Sequence, residues 1–131
     1  MARKKRGQSM IEVMIGLVVI IPIGLAAVDI VTLTNASQNN EELCETASRA
    51  AATKGDQQGA TKAVQEIIDR VQLNSVIQQV SIQNVTYDLG TGKVTVGLVM
   101  TVKVPVPFPY LNTVDCQAIS AQPIVSTPAP Q

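Results

Sequence analysis

The hydrophobic and polar positions of the chain open with one long apolar run. The sixteen residues Val13–Val28 carry no charge, and the apolar stretch around them extends over Met10–Thr34. A helix needs about 20 residues to cross a bilayer, whereas the apolar core of an ordinary signal peptide has about 7–15. The run therefore predicts a membrane-spanning helix.

Small residues at helical spacing follow the run over Asn35–Lys54, which predicts that the same helix continues outside the membrane. One helix would then cover Gln8–Lys54, with Gly55 ending it. A second helix is predicted over Ala60–Leu73, because its apolar residues recur with an i, i+3, i+4 pattern. The small-residue stripe of the first helix comprises Ala36, Leu43, Cys44, Ala47, Ala50 and Ala51.

The period of the pattern then changes to two, which predicts β-strands. Alternation over Val80–Leu89 changes phase near Gln83-Asn84 and indicates a β-bulge, and the triplet at 90–92 predicts a hairpin turn. A second strand is expected over Val94–Val104 and a third over Val114–Ala121. The prolines at 105, 107 and 109 have no N–H to donate and are expected to stop the ladder. The predicted fold class is α+β, a long transmembrane helix leading into a small external domain with a second helix and a roughly three-stranded antiparallel sheet.

Charge fixes the expected orientation. Four of the ten basic residues are at positions 3–6, and the next basic residue after the apolar run is Arg49. The positive-inside rule then places the N-terminus in the cytoplasm and the rest of the chain outside.

The chain has no His and no Trp, and its only aromatic residues are Tyr87, Phe108 and Tyr110. This composition excludes histidine-based catalysis and makes a base-stacking nucleic-acid surface unexpected.

A short basic leader ends at Gly7, and Glu12 is the fifth residue after it, at the start of the apolar run. A carboxylate in a membrane segment is unfavourable. The segment Arg6–Val13 resembles the class III signal of prepilins. With the Pro-containing run, the Asn- and Ala-rich helix and the alternating strands, the chain resembles TadE-like minor pseudopilins of tight-adherence (Tad) pilus systems over about residues 3–121.

The resemblance implies a structural subunit without catalysis or a cofactor. A membrane peptidase would cut after Gly7, Gln8 would become the N-terminus, and Glu12 would neutralise the terminal ammonium of a neighbouring subunit. The implied partners are the prepilin peptidase, the major pilin and other pseudopilins, the inner-membrane assembly platform and membrane lipid, with no nucleic acid. The implied location is the inner membrane, with passage into an extracellular pilus as a further option.

Three residues of the run, Gly16, Pro22 and Gly24, weaken a helix. They are compatible with an ordinary kinked membrane helix and also with a helix that unwinds locally as it enters a filament.

Cys44 and Cys116 both point toward the same predicted core, outside the membrane, where disulfides persist. We expect a Cys44–Cys116 bridge, with two buried free thiols as the alternative.

The predicted organisation is a leader over 1–7, a transmembrane part over 8–34, an external domain over 35–122 and a Pro-rich tail over 123–131. Three other functions remain open: a minor pseudopilin of a type II secretion or other type IV pilus system, a secreted binding domain cut before Ser37, and an uncut membrane-anchored adaptor. The N-terminal residue of the mature protein distinguishes the pilin-like readings from the last two.

Overall fold

A computed structural model describes residues 2–125, with side chains except those of 2–6, 107 and 108. The elements in chain order are α1 (Ala2–Ala52), α2 (Gln57–Asp69), β1 (Ile77–Asp88), β2 (Lys93–Phe108) and β3 (Leu111–Pro123). This α+β layout confirms the predicted fold class.

The helix α1 is a single α-helix of 51 residues, which gives it a length of about 75 Å. It starts earlier than the predicted Gln8, because no Pro interrupts the basic residues before it. It ends before the predicted Lys54, because the N–H groups of Thr53 and Lys54 donate to the carbonyls only three residues back, of Ala50 and Ala51. The tightened last turn stops the α-helical pattern.

The helix α2 begins three residues before the predicted Ala60 because Asp56 caps it. The Asp56 carboxylate accepts a hydrogen bond of 2.7 Å from the Gly59 N–H, which satisfies one of the free donors of the first turn. The helix ends at Asp69 rather than the predicted Leu73. Arg70 and Val71 again donate to carbonyls three residues back, at Ile67 and Ile68.

The sheet is antiparallel throughout, in the order β1-β2-β3. The register of β1 against β2 shifts between Ile82 and Asn84, which confirms the predicted bulge. The predicted hairpin turn lies between β1 and β2, where Gly92 has a φ of 66°. Hydrogen bonds from the Thr91 hydroxyl and from the N–H groups of Gly90 and Thr91 hold the pKa of Asp88 below its usual range.

The prolines interrupt pairing without ending β2, so the predicted strand end at Val104 was wrong. Pairing of β2 with β3 runs to Lys103 opposite Thr113 and resumes only at Phe108 opposite Leu111. Proline removes ladder donors, but its fixed φ is compatible with extended backbone. The strand therefore continues as an arm that is unpaired on this side for four residues.

The core lies between one face of the sheet and the two helices. The helix α1 covers β2 and β3, while α2 packs on β1 and against α1. Every second residue of β2 is buried under α1, namely Val94, Val96, Leu98, Met100, Val102 and Val104. The contributions of α1 are mostly small, so the helix lies close to the sheet.

Candidate membrane helix and its junction with the external domain

The N-terminal half of α1 exposes its apolar side chains on all sides. The region Gly7–Ala52 contains a stretch long and apolar enough to cross a membrane, and none of that stretch is buried within the chain. Burying one large aliphatic side chain is worth about 1.5–3 kcal/mol, so this surface is unfavourable in water. The exposed large residues are Met10, Ile11, Val13, Met14, Ile15, Leu17, Val18, Val19, Ile20, Ile21, Ile23, Leu25, Val28, Ile30 and Val31.

The predicted cleavage and assembly residues lie at the start of this exposed segment. Gly7, Gln8 and Glu12 are all exposed on α1. A Cβ added at Gly7 would meet nothing within 4 Å, so packing within the chain does not require glycine there. Gln8 and Glu12 are four residues apart and share one face of the helix.

The three predicted helix-weakening residues lie within continuous α-helix. A Cβ added at Gly16 or Gly24 would also meet open space. Pro22 has no N–H to give to the Val18 carbonyl, yet the α-helix passes through it from Ala2 to Ala52. Local unwinding at these residues is not a property of this conformation.

Polar side chains join the C-terminal half of α1 to the sheet. Asp29, Asn40 and Ser48 are buried among the small apolar residues of the helix. The Asn40 amide donates to the Cys116 carbonyl at 2.8 Å, and the Ser48 hydroxyl lies 3.0 Å from that of Ser120. Since β3 is one of the two edge strands, these bonds attach α1 to a strand that has only one β-neighbour.

The two cysteines are free thiols in this structure, in disagreement with the expected disulfide. The Cys44 Sγ lies 3.1 Å from the Val96 carbonyl oxygen and 3.5 Å from that of Ala118. Cys116 instead lies one helical turn lower, at the level where Asn40 donates to its carbonyl. Cys44 therefore packs in the cluster that contains Ala118, whereas Cys116 packs against the neighbouring cluster of Met100 and Val102, because the helix and the strand are offset by one turn.

Burial also makes both thiols poor nucleophiles. Desolvation raises the pKa of Cys44, which is buried between α1 and the sheet. Desolvation raises the pKa of the half-buried Cys116 as well, and the neighbouring Asp115 carboxylate adds to that effect. Neither cysteine therefore has the environment of a reactive thiolate.

Asp29 connects the exposed apolar segment of α1 to the far end of β2. Its side chain is only 5% exposed, and its Oδ1 accepts a hydrogen bond of 3.0 Å from the Val106 N–H. Its Oδ2 is buried with no hydrogen-bond partner. This bond holds the proline-containing arm of β2 against the helix at the end of the apolar run.

Sequence analysis assigned no role to Asp29, Asn40 or Ser48. The available signal was their spacing, because Asp29, Ala36, Asn40, Cys44 and Ser48 follow each other at helical intervals on one face. A polar residue on a small-residue stripe predicts a hydrogen bond to whatever packs there, since buried polar groups need partners.

The described residues contain no group of three or more His, Cys, Asp or Glu side chains placed to hold a metal ion. Comparison of the chain with models of known families, with curated proteins and with solved structures gives no match.

Proposed function

We propose that this protein is a pilin-like structural subunit of a Tad-type pilus, similar to TadE-like pseudopilins, and that it is needed for assembly or initiation of a filament used in adherence or secretion. One observation supports this most. A single continuous helix carries an exposed apolar half that begins with the Gly7 and Glu12 signature, and only its other half is covered by the chain's own domain.

The glycine at position 7 supports the proposal, because the fold of the chain does not require a glycine there. Gly7 is exposed, and no other part of the chain lies in the space that a side chain at this position would occupy. A glycine in a helix is unfavourable by about 1 kcal/mol relative to alanine. A peptidase that binds the backbone closely on the cytoplasmic side gives this glycine a role.

Glu12 supports the proposal through charge. It is exposed on a helix whose following residues are apolar, so an isolated carboxylate there is unfavourable in a membrane or a helix bundle. Cleavage after Gly7 creates an ammonium on Gln8, one helical turn away. In a filament, Glu12 of one subunit pairs with that ammonium on a neighbour, and the two charges neutralise each other.

The external domain supports the proposal because it leaves the N-terminal part of α1 uncovered. Its contacts with the helix extend from Asp29 to Ala52, so the segment before Asp29 is available first to lipid and then to neighbouring helices. The partners in this scheme are the prepilin peptidase, the major pilin and other pseudopilins, the inner-membrane platform and lipid. The location is the inner membrane with the N-terminus in the cytoplasm.

The first test is the mature N-terminus, measured by intact mass of the membrane-associated protein from a host that carries a prepilin peptidase. We expect a chain beginning at Gln8. The variant Gly7→Val should remain uncut, whereas Gly55→Val is a matched control, because a Cβ at Gly55 also meets nothing. A retained Met1 would point to an uncut anchored adaptor, and a start at Ser37 would point to a secreted domain. Either result would overturn the proposal.

The second test concerns Glu12 and separates insertion from assembly. Glu12→Ala should insert and be cut normally but fail to support filaments. Glu42→Ala is the control, because Glu42 is an exposed carboxylate on the part of α1 outside the apolar run. Normal filaments with Glu12→Ala would refute the charge pairing.

A further inference from the structure

We infer that the tip of the β2–β3 hairpin, residues 104–112, is a second membrane contact that enters the lipid interface beside α1 on the side of the external domain. This inference rests on the membrane anchoring in the proposed function and is independent of cleavage and filament assembly. The ligand is the boundary between phospholipid headgroups and acyl chains.

The direction of β2 brings the tip to the membrane. Leu98 packs in a cluster with Cys44 and Ala47, whereas Met100 packs with Ala36. The N–H of Val106 then reaches Asp29. The strand therefore runs along α1 toward the helix N-terminus.

The end of the membrane span lies at the same level as this contact. Twenty residues counted from Met10, about the number that crosses the hydrocarbon region, end at Asp29, five residues before the predicted limit of the transmembrane part at Thr34. A strand advances about 3.3 Å per residue, so Phe108 lies about 7 Å beyond Val106. The tip thus extends roughly one helical turn below Asp29, within the depth at which interfacial segments lie, about 5–10 Å.

The exposure of α1 agrees with this level. Leu25, one turn before Asp29, is 43% exposed, the lowest value among the exposed large hydrophobic residues of the span. Ala26 is half-buried, whereas its neighbour Ala27 is exposed. Lower exposure at this turn agrees with an arm that lies beside it.

The chemistry of the tip suits an interface. No charged residue occurs between Lys103 and Asp115. Tyr110 is fully exposed and Leu111 is 47% exposed, and tyrosine is enriched at membrane–water boundaries. Lys103 is exposed just above the tip, at the level where a cation meets lipid phosphates.

Tyr110 also occupies a backbone conformation that side chains disfavour. It is the only residue other than glycine with a positive φ among the described residues, at 79°. Glycine adopts this conformation readily, whereas a bulky residue is strained in it. Local backbone preference therefore does not account for an aromatic side chain at the turn, and lipid contact does.

The test uses the absence of tryptophan from the chain. Three full-length variants each carry one tryptophan: Tyr110→Trp at the tip, Val18→Trp in the span, and Leu89→Trp as the control. Leu89 is 69% exposed in the other hairpin turn, at the opposite end of the sheet, where Gly92 accepts a hydrogen bond from Ile124. The purified chain is placed in phosphatidylcholine–phosphatidylglycerol vesicles with or without lipids brominated near the top of the acyl chain.

Quenching by the brominated lipid should be strong for Trp at 18 and 110 and absent for Trp at 89, and emission from position 110 should be shifted to shorter wavelength. Quenching at 18 with none at 110 would overturn the tip contact while leaving the span intact. Protection of position 110 from acrylamide without bromine quenching would overturn it too, because protein would then cover the tip. Absence of quenching at position 18 would refute both the membrane span and the membrane contact of the tip. No peptidase is present, so failure of cleavage or assembly leaves this result unchanged.

Discussion

Replacing Asn40 by Asp should make the stability of the domain formed by the sheet, α2 and the C-terminal half of α1 strongly dependent on pH. Asn40 is fully buried, and its amide donates to the Cys116 carbonyl at 2.8 Å. A carboxylate in this place has no proton to donate and would face the carbonyl oxygen without solvent. A protonated Asp could still donate, so the substitution is tolerable only in its neutral form.

The magnitude follows from the cost of that protonation. An Asp in the unfolded chain has a pKa of about 3.9, and each pH unit above it corresponds to about 1.36 kcal/mol. At pH 7 the variant therefore loses up to about 4 kcal/mol, which is the cost of keeping the carboxyl neutral. The sign follows from the raised folded-state pKa: the loss is absent below about pH 3.9 and grows as the pH rises.

Denaturant unfolding of the full chain in detergent measures this effect at several pH values. Tyr87 provides the signal, because its hydroxyl donates to the Lys54 carbonyl at 2.6 Å and joins β1 to the end of α1. Asn39→Asp is the control, since Asn39 is the adjacent residue on α1 and is exposed. Equal pH dependence of the two variants would refute the buried contact between α1 and β3.

Two further predictions concern the same junction. Under native conditions the half-buried Cys116 should react with an alkylating reagent before the buried Cys44, and both should react more slowly than an exposed thiol because burial raises the pKa of each. Mild oxidation should leave both thiols free by mass, and formation of an intramolecular disulfide without unfolding would contradict the one-turn offset. Ala47→Leu should destabilise the domain by about 1–3 kcal/mol, because Ala47 is fully buried between α1 and the sheet. Thr46→Leu, on the exposed side of the helix, should change the stability by less than about 0.5 kcal/mol in the same unfolding assay. Equal losses of stability would contradict the close packing of this helix face.

The elements with a strong period were predictable. One hydrophobic pattern is kept throughout each of three features: the long apolar run, the small-residue stripe after it and the alternating strands. The corresponding helices and strands are present. The bulge near Asn84 was also visible, because a change of phase moves side chains to the other face of a strand. Helix ends were less predictable, since Asp56 and three-residue hydrogen bonds set them rather than hydrophobicity.

The prolines of β2 show a further limit of local rules. Proline was expected to end the strand because it cannot donate in a ladder. The arm continues to Phe108, and the Asp29 carboxylate accepts the Val106 N–H in place of a strand partner. A contact between residues 77 positions apart in the chain is not visible in a local pattern.

The sequence by itself determined the long apolar segment, the secondary structure classes and the face of α1 that packs on the sheet. These follow from composition and period, which act over neighbouring residues. The tertiary structure decided that Cys44 lies opposite Ala118 rather than Cys116, and that Asn40 and Asp29 bind strand backbone. The reason is that the offset of a helix along a sheet depends on how all their side chains interlock, whereas a periodic pattern identifies only the packed face.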